Sequence, residues 1–138
     1  MNYLLDTCLL SEFMKPRENH AVVAWFEAQE DETLYISTLA IAEIAKGIAN
    51  LGSTKRASEL KVWLESVVDR FDTRILPFDV SMANRWGSMI AARESTGRPM
   101  PFIDSLMAAT ALEHNLTLVT RNEDDFTHTG VKIMNLWK

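Results

Sequence analysis

The sequence predicts an α/β protein, an open three-layer sandwich with a parallel sheet covered by helices on both faces. Two observations lead there. Short apolar segments of strand length alternate with longer segments whose apolar residues recur at helical spacing. The first short segment, Tyr3-Leu4-Leu5, is apolar without alternation, as in a strand buried on both sides. A third observation sets the scale. With 138 residues and 47% apolar content, the chain suits one domain, residues 1–138, with a real core.

The elements follow in order. Tyr3–Leu5 is the first strand. Thr7–Met14 is a short helix ended by Lys15-Pro16, since proline disfavours helical backbone in the residue before it. His20–Gln29 is helical, with Val22, Val23, Trp25 and Phe26 as its apolar side. Thr33–Ser37 (TLYIS) is a strand, and Thr38–Leu51 a helix stopped at Gly52. Thr54–Arg70 is a longer helix, carrying Leu60, Trp63, Leu64, Val67 and Val68 at helical spacing. Arg74–Phe78 (RILPF) is a strand. Asp79 or Ser81 caps a helix that runs to about Thr96 and stops at Gly97. "RPMP" is a loop, Phe102–His114 a helix, Thr117–Thr120 a strand and Val131–Met134 the last strand. There is no internal repeat, low-complexity tract or linker.

Composition excludes several classes. Fourteen Lys and Arg against nineteen Asp and Glu give a net charge of −5, unlike a passive nucleic-acid binder with a basic face. An enzyme that meets phosphates through bound cations is not excluded. No apolar run approaches the roughly 20 residues of a membrane helix. The first residues lack the basic start and cleavage site of a signal peptide, so a cytoplasmic protein with no membrane partner is expected. Cys8 is the only cysteine, which rules out an internal disulfide and a thiolate zinc cluster. It is expected to be a small buried hydrophobe.

Three carboxylates sit where local logic prefers apolar residues. Asp6 ends the first strand, Glu43 lies within "LAIAEIA", and Asp104 lies within "PFIDSLMAATAL". A fourth acidic patch, "NEDDF", follows the strand ending at Thr120. Each has a local explanation. Asp6 can cap the helix after it, and Asp104 can face the positive end of its helix dipole. Glu43 can share a solvent-facing stripe with Lys46 and Asn50, and Asp124 and Asp125 can be loop residues.

Their joint placement asks for more. Open α/β sheets bind ligands beyond the carboxyl ends of their strands. Asp6 and the Asn122–Asp125 segment both follow strand ends. If those strands are neighbours, both groups meet in one crevice, with Glu43 and Asp104 on helices beside it. At about 4 Å and an effective dielectric of about 20, each pair of carboxylates repels by about 4 kcal/mol. Such a cluster persists with protons, cations or arginines present. A set of oxygen donors without Cys or His suits Mg²⁺ or Mn²⁺. The histidines, His20, His114 and His128, all fall outside the acidic motifs.

These motifs resemble those of the PIN domains, specifically the VapC-type toxins of bacterial toxin–antitoxin pairs. "LLDTCLLSE" is similar to the family's first motif, "ISTLAIAEIAKG" to its second, and "FIDSLMAATALEHNLTLVTRNEDDF" to its third and fourth. The resemblance runs from Met1 to about Trp137. It implies a PIN-like α/β/α sandwich around a parallel sheet of about five strands, often in a homodimer. It implies a metal-dependent endoribonuclease held in check by a cognate antitoxin. Asp6 and Asp104 match the family's principal metal ligands, Glu43 its glutamate, and Asp125 its last acid. Asn122 stands where relatives carry Asn or Asp, and Thr7 and Thr120 match hydroxyls that orient the site. Cys8 stands where many relatives carry Asn.

The expected reaction is hydrolysis of RNA phosphodiesters by a metal-activated water, with Mg²⁺ or Mn²⁺ on Asp6 and Asp104. Glu43 and Asp125 position that water or hold a second ion, and Arg121 either contacts the RNA backbone or is an ordinary surface arginine. Two other classes fit less well. A catalytically inactive PIN-like binding module has no need of intact acids at the main positions. An aspartyl phosphatase wants a second Asp two residues after the first, where this chain has Cys8.

Overall fold

The computed structural model describes residues 1–138. Its strands are β1 (Tyr3–Leu5), β2 (Leu34–Ser37), β3 (Ile75–Leu76), β4 (Thr117–Val119) and β5 (Ile133–Met134). Its helices are α1 (Thr7–Glu12), α2 (His20–Ala28), α3 (Thr38–Ala49), α4 (Lys55–Phe71), α5 (Val80–Ser95) and α6 (Phe102–His114). Short 3₁₀ turns at Asp31–Thr33, Asp72–Arg74 and Glu123–Phe126 complete the backbone. All five strands are parallel, in the order β3-β2-β1-β4-β5.

Both faces of the sheet are covered. Successive strand residues point to opposite faces. Yet Leu4 and Leu5 on β1, and Leu118 and Val119 on β4, are all fully buried. These residues lie in a core that also takes Leu9 and Leu10 from α1, Ile44 and Ile48 from α3, and Met107 and Ala108 from α6. Helix α6 is buried from Ser105 through Ala111 without a break. Its small residues let neighbours approach closely, and the hydroxyl of Thr110 is satisfied by the Leu106 carbonyl at 2.8 Å.

Several boundaries differ from expectation. Helix α1 ends at Glu12, not Met14, and hydrogen-bonded turns carry the chain on to Lys15. Edge strands β3 and β5 are two residues each, because only that much of Arg74–Phe78 and Val131–Met134 finds a partner. Asp79, not Ser81, caps α5, accepting from the Met82 N–H at 3.0 Å.

The sheet order creates the crevice. From β1 the chain moves to β2 on one side and reaches β4 on the other only after α6. The β1–β4 junction is therefore a topological switch point, where the loops leaving the two strand ends part and open a cleft. The Asp6 N–H donates to the Val119 carbonyl at 3.0 Å, which holds the two strand ends together.

Candidate functional site

Asp6 follows β1 directly and is 4% exposed. It is also the N-cap of α1, with Oδ1 accepting from the Thr7 N–H at 2.8 Å. Its other oxygen, Oδ2, accepts from the Thr120 hydroxyl at 2.7 Å. That hydroxyl accepts in turn from the Asn122 N–H at 3.1 Å. Burial pushes the Asp6 carboxyl above its ordinary range, with Glu43 adding repulsion, against the hydrogen bonds from Thr120, Thr7 and Cys8. Capping and site formation thus use different oxygens of one carboxylate.

Glu43 sits on the exposed side of α3, as the stripe with Lys46 and Asn50 predicts. Its Oε1 accepts from the Thr7 hydroxyl at 2.6 Å. Thr7 and Thr120 therefore each bring one acid into place. Asp104 lies in the first turn of α6. Its carboxyl is pushed up to about 7 by burial first, then by Asp125, Asp6 and Glu43. Asp125 belongs to the 3₁₀ turn after β4, and its N–H donates to the Asn122 carbonyl at 3.2 Å. The four candidate acids thus come from four separate segments, and three of them act on the carboxyl of the fourth, Asp104.

The neighbours divide into two groups. Asn122 is exposed and contributes its backbone to the turn. Arg121 is exposed, with its guanidinium 5.7 Å from the centre of the Trp137 ring. A recess of about 310 Å³ is bordered by Arg121, Asn122, Glu123, Asp124 and Asp125. Glu123 pairs with Lys138, whose Nζ lies 2.8 Å from Oε2. The three histidines are all exposed, outside the acid cluster.

Residues 3–132 match the PIN domain family. The chain belongs to the PIN-domain family. It is 36% identical over 135 residues to Toxin FitB of Neisseria gonorrhoeae, covering 97% of each chain. It is 34% identical over 136 residues to VapC ribonuclease Y4jK of Sinorhizobium fredii, covering 98% of this chain and 97% of that protein. Among solved structures, FitAcB from Neisseria gonorrhoeae superposes with a TM-score of 0.92 at 35% identity, covering 98% of each chain. FitAB bound to a DNA fragment gives 0.92 at 34% identity, covering 99% of this chain and 96% of that one.

The four candidate acids offer oxygen donors only, the chemistry of a hard cation. No group of three or more Asp, Glu, His or Cys side chains is placed to hold a metal ion. Mg²⁺ needs none, because it keeps several waters and is usually held by one or two carboxylates. Asp6 and Asp104 are two carboxylates that repel each other, and a cation beside them would relieve that repulsion. The residues fit.

Size alone would point elsewhere. The largest recess, about 700 Å³, lies between α3 and α4 and includes Ala45, Ile48, Leu64 and Val68. It opens on the side of α3 opposite Glu43 and contains none of the four acids.

Cys8 departs from expectation. It is only half-buried, and its sulfur lies 3.7 Å from Asp6 Oδ2 and 3.7 Å from Thr120 Oγ1. It also accepts from the Arg121 N–H at 3.5 Å. Burial, then Asp6, pushes its thiol up to about 11, so it stays protonated and donates to the site rather than attacking. Trp137, beneath Arg121, had no local sign in the sequence. Sixteen residues separate the two, and only the fold brings them together.

Proposed function

We propose that this PIN domain is a metal-dependent endoribonuclease, the toxin of a toxin–antitoxin pair, which hydrolyses RNA and is inhibited by a cognate antitoxin. One observation carries the reading: acids from four segments converge on the switch-point crevice, two of them held by threonine hydroxyls. Membership of the PIN family supports it, as do relatives named as a toxin and a ribonuclease.

In this reading Asp6 and Asp104 hold Mg²⁺ or Mn²⁺. Such a cation, when bound, polarises a phosphate oxygen and lowers the pKa of water. Glu43 and Asp125 orient the attacking water or hold a second cation. Thr7 and Thr120 keep Glu43 and Asp6 aimed, and the Asn122 backbone fixes Thr120. Arg121, steadied over Trp137, meets the RNA backbone. The protein works in the cytoplasm, as a homodimer. With no histidine pair at the crevice, the 2′-hydroxyl route by general base and acid lacks its usual groups.

The test is the chemistry of the cut ends. Cleavage should require Mg²⁺ or Mn²⁺, stop with EDTA, and leave 5′-phosphate and 3′-hydroxyl ends. Expression of the chain alone should arrest growth, and Asp6→Asn or Asp104→Asn should relieve the arrest. Cyclic-phosphate ends formed undiminished in EDTA, read by mass spectrometry, refute the mechanism. Full toxicity in both folded variants refutes the site.

A further inference from the structure

Gly47 is an anomaly in α3. It sits in the last turn of a helix that ends at Ala49, where glycine still lacks the helix propensity of alanine. Packing gives no reason for it, because a Cβ built there meets nothing within 4 Å. Its backbone is ordinary helix, so no positive φ requires it. What Gly47 does is leave space. A recess of about 430 Å³ is lined by Ala42, Glu43, Lys46 and Gly47 from α3, by its C-cap Asn50, and by Ile103 from α6. Ile103 directly precedes Asp104. The recess therefore begins at one candidate acid, Glu43, and ends beside another.

The chemistry of the lining is mixed in a particular way. Lys46 is exposed and forms no salt bridge; the five in the chain lie elsewhere. It is a free cation one helical turn from Glu43, in a chain of net charge −5. Asn50, one turn beyond Lys46, offers an amide that can both donate and accept. Ile103 and Ala42 supply apolar wall. A cation, an amide and an apolar wall around an open floor match a phosphate, a base edge and a ribose.

We propose that this recess is the subsite for the nucleotide next to the scissile phosphate, with Lys46 on the neighbouring phosphate and Gly47 keeping the floor open. The proposal rests on the ribonuclease reading and adds to it a direction for the strand, along the outer stripe of α3. Lys46 and Gly47 are positioning residues, since they hold substrate without touching the reacting atoms.

The test uses the full chain, free of antitoxin, and a single-stranded RNA oligonucleotide that the wild type cuts with Mg²⁺ or Mn²⁺. Lys46→Ala should raise KM by about tenfold with little change in kcat, and Lys46→Arg should restore it. The same Lys46→Ala change should flatten the salt dependence of binding by about 0.7 in log–log slope, one single-strand phosphate contact. Gly47→Ala and Gly47→Leu should raise KM in order of side-chain size while melting at or above the wild-type temperature. A glycine kept for structure predicts the reverse, a lower melting temperature. Unchanged KM and salt slope in an otherwise active enzyme overturn the subsite alone. Intact cleavage with lost antitoxin inhibition assigns the recess to a protein partner and overturns it. So does a change of oligomeric mass in Gly47→Leu, which assigns it to a contact between copies. A wild type that cuts no RNA with either metal brings down the ribonuclease reading itself, and this inference with it.

Discussion

The Thr120 hydroxyl donates to Asp6 and accepts from the Asn122 N–H, so its single proton has one direction to point. That fixes Asp6 Oδ2 in a buried place where a free carboxylate would turn. Thr120→Val keeps the shape and removes the donor. It should lower both cation affinity and cleavage by about 10–100-fold, while Thr120→Ser retains most of each. Calorimetric titration with Mn²⁺, beside steady-state cleavage, checks this; equal loss in the serine variant counts against a hydrogen-bonding role. At this scale the sequence was informative where residues were out of place. Asp6, Glu43 and Asp104 stand out because each interrupts an apolar run. Cys8 does not stand out, because its contacts to Thr120 and Arg121 cross more than a hundred residues.

At the scale of elements, α1 is held at both ends by acids. Asp6 caps its start and Glu12 closes it. Glu12 is 3% exposed and gathers three donors: Lys15 Nζ at 3.1 Å, the Asn19 N–H at 3.0 Å and the Trp137 indole at 3.3 Å. Burial alone would raise the Glu12 carboxyl, but these bonds outweigh it and hold it below the ordinary range. The acid thus ties α1 to the start of α2 and to the C-terminal segment. Glu12→Ala leaves buried donors unmatched and should cost about 2–3 kcal/mol in urea unfolding. A loss below about 0.5 kcal/mol, the usual surface effect, would make the cluster ornamental. Elements were legible where local signals were strong. Phe102–His114 is a helix at both expected ends, bounded by a proline before it and left-handed Asn115 after it. The two-residue edge strands and the 3₁₀ turns were not, since pairing partners and turn hydrogen bonds define them.

At the scale of the whole molecule, pH and cation should act together. Asp104 ionises at an ordinary value of 3.8 when unfolded and at about 7 in the fold. The folded chain therefore binds the proton more tightly. The stability this contributes is complete below 3.8 and is lost as pH rises through about 7. Asp6, also raised, acts in the same direction. Asp104 is half-open to water, which screens part of the repulsion and makes the slope shallower. Without divalent cation, the melting temperature should fall between pH 5 and pH 8, and Asp104→Asn should flatten that fall. Mg²⁺ or Mn²⁺ at a hundredfold its dissociation constant should restore about 2.7 kcal/mol at pH 8 and much less at pH 5. Scanning calorimetry at both pH values decides it, and a cation response independent of pH counts against Asp104 as a holder. The parallel layered class was legible in the alternation of short apolar segments with helical ones. Which strands are neighbours was not, and the crevice depends on β1 lying beside β4.

That adjacency also sets a clock. Asp6 and the hydroxyl that aims it are 114 residues apart in the chain. A ribosome adding about 5–20 residues per second needs roughly 6–23 seconds to cover that interval. During it, Asp6 has been made and its partner has not, and β1 lacks the strand that completes the cleft. Asp125 comes later still. The acid cluster therefore cannot assemble on the nascent protein, by topology, until nearly all of the chain exists.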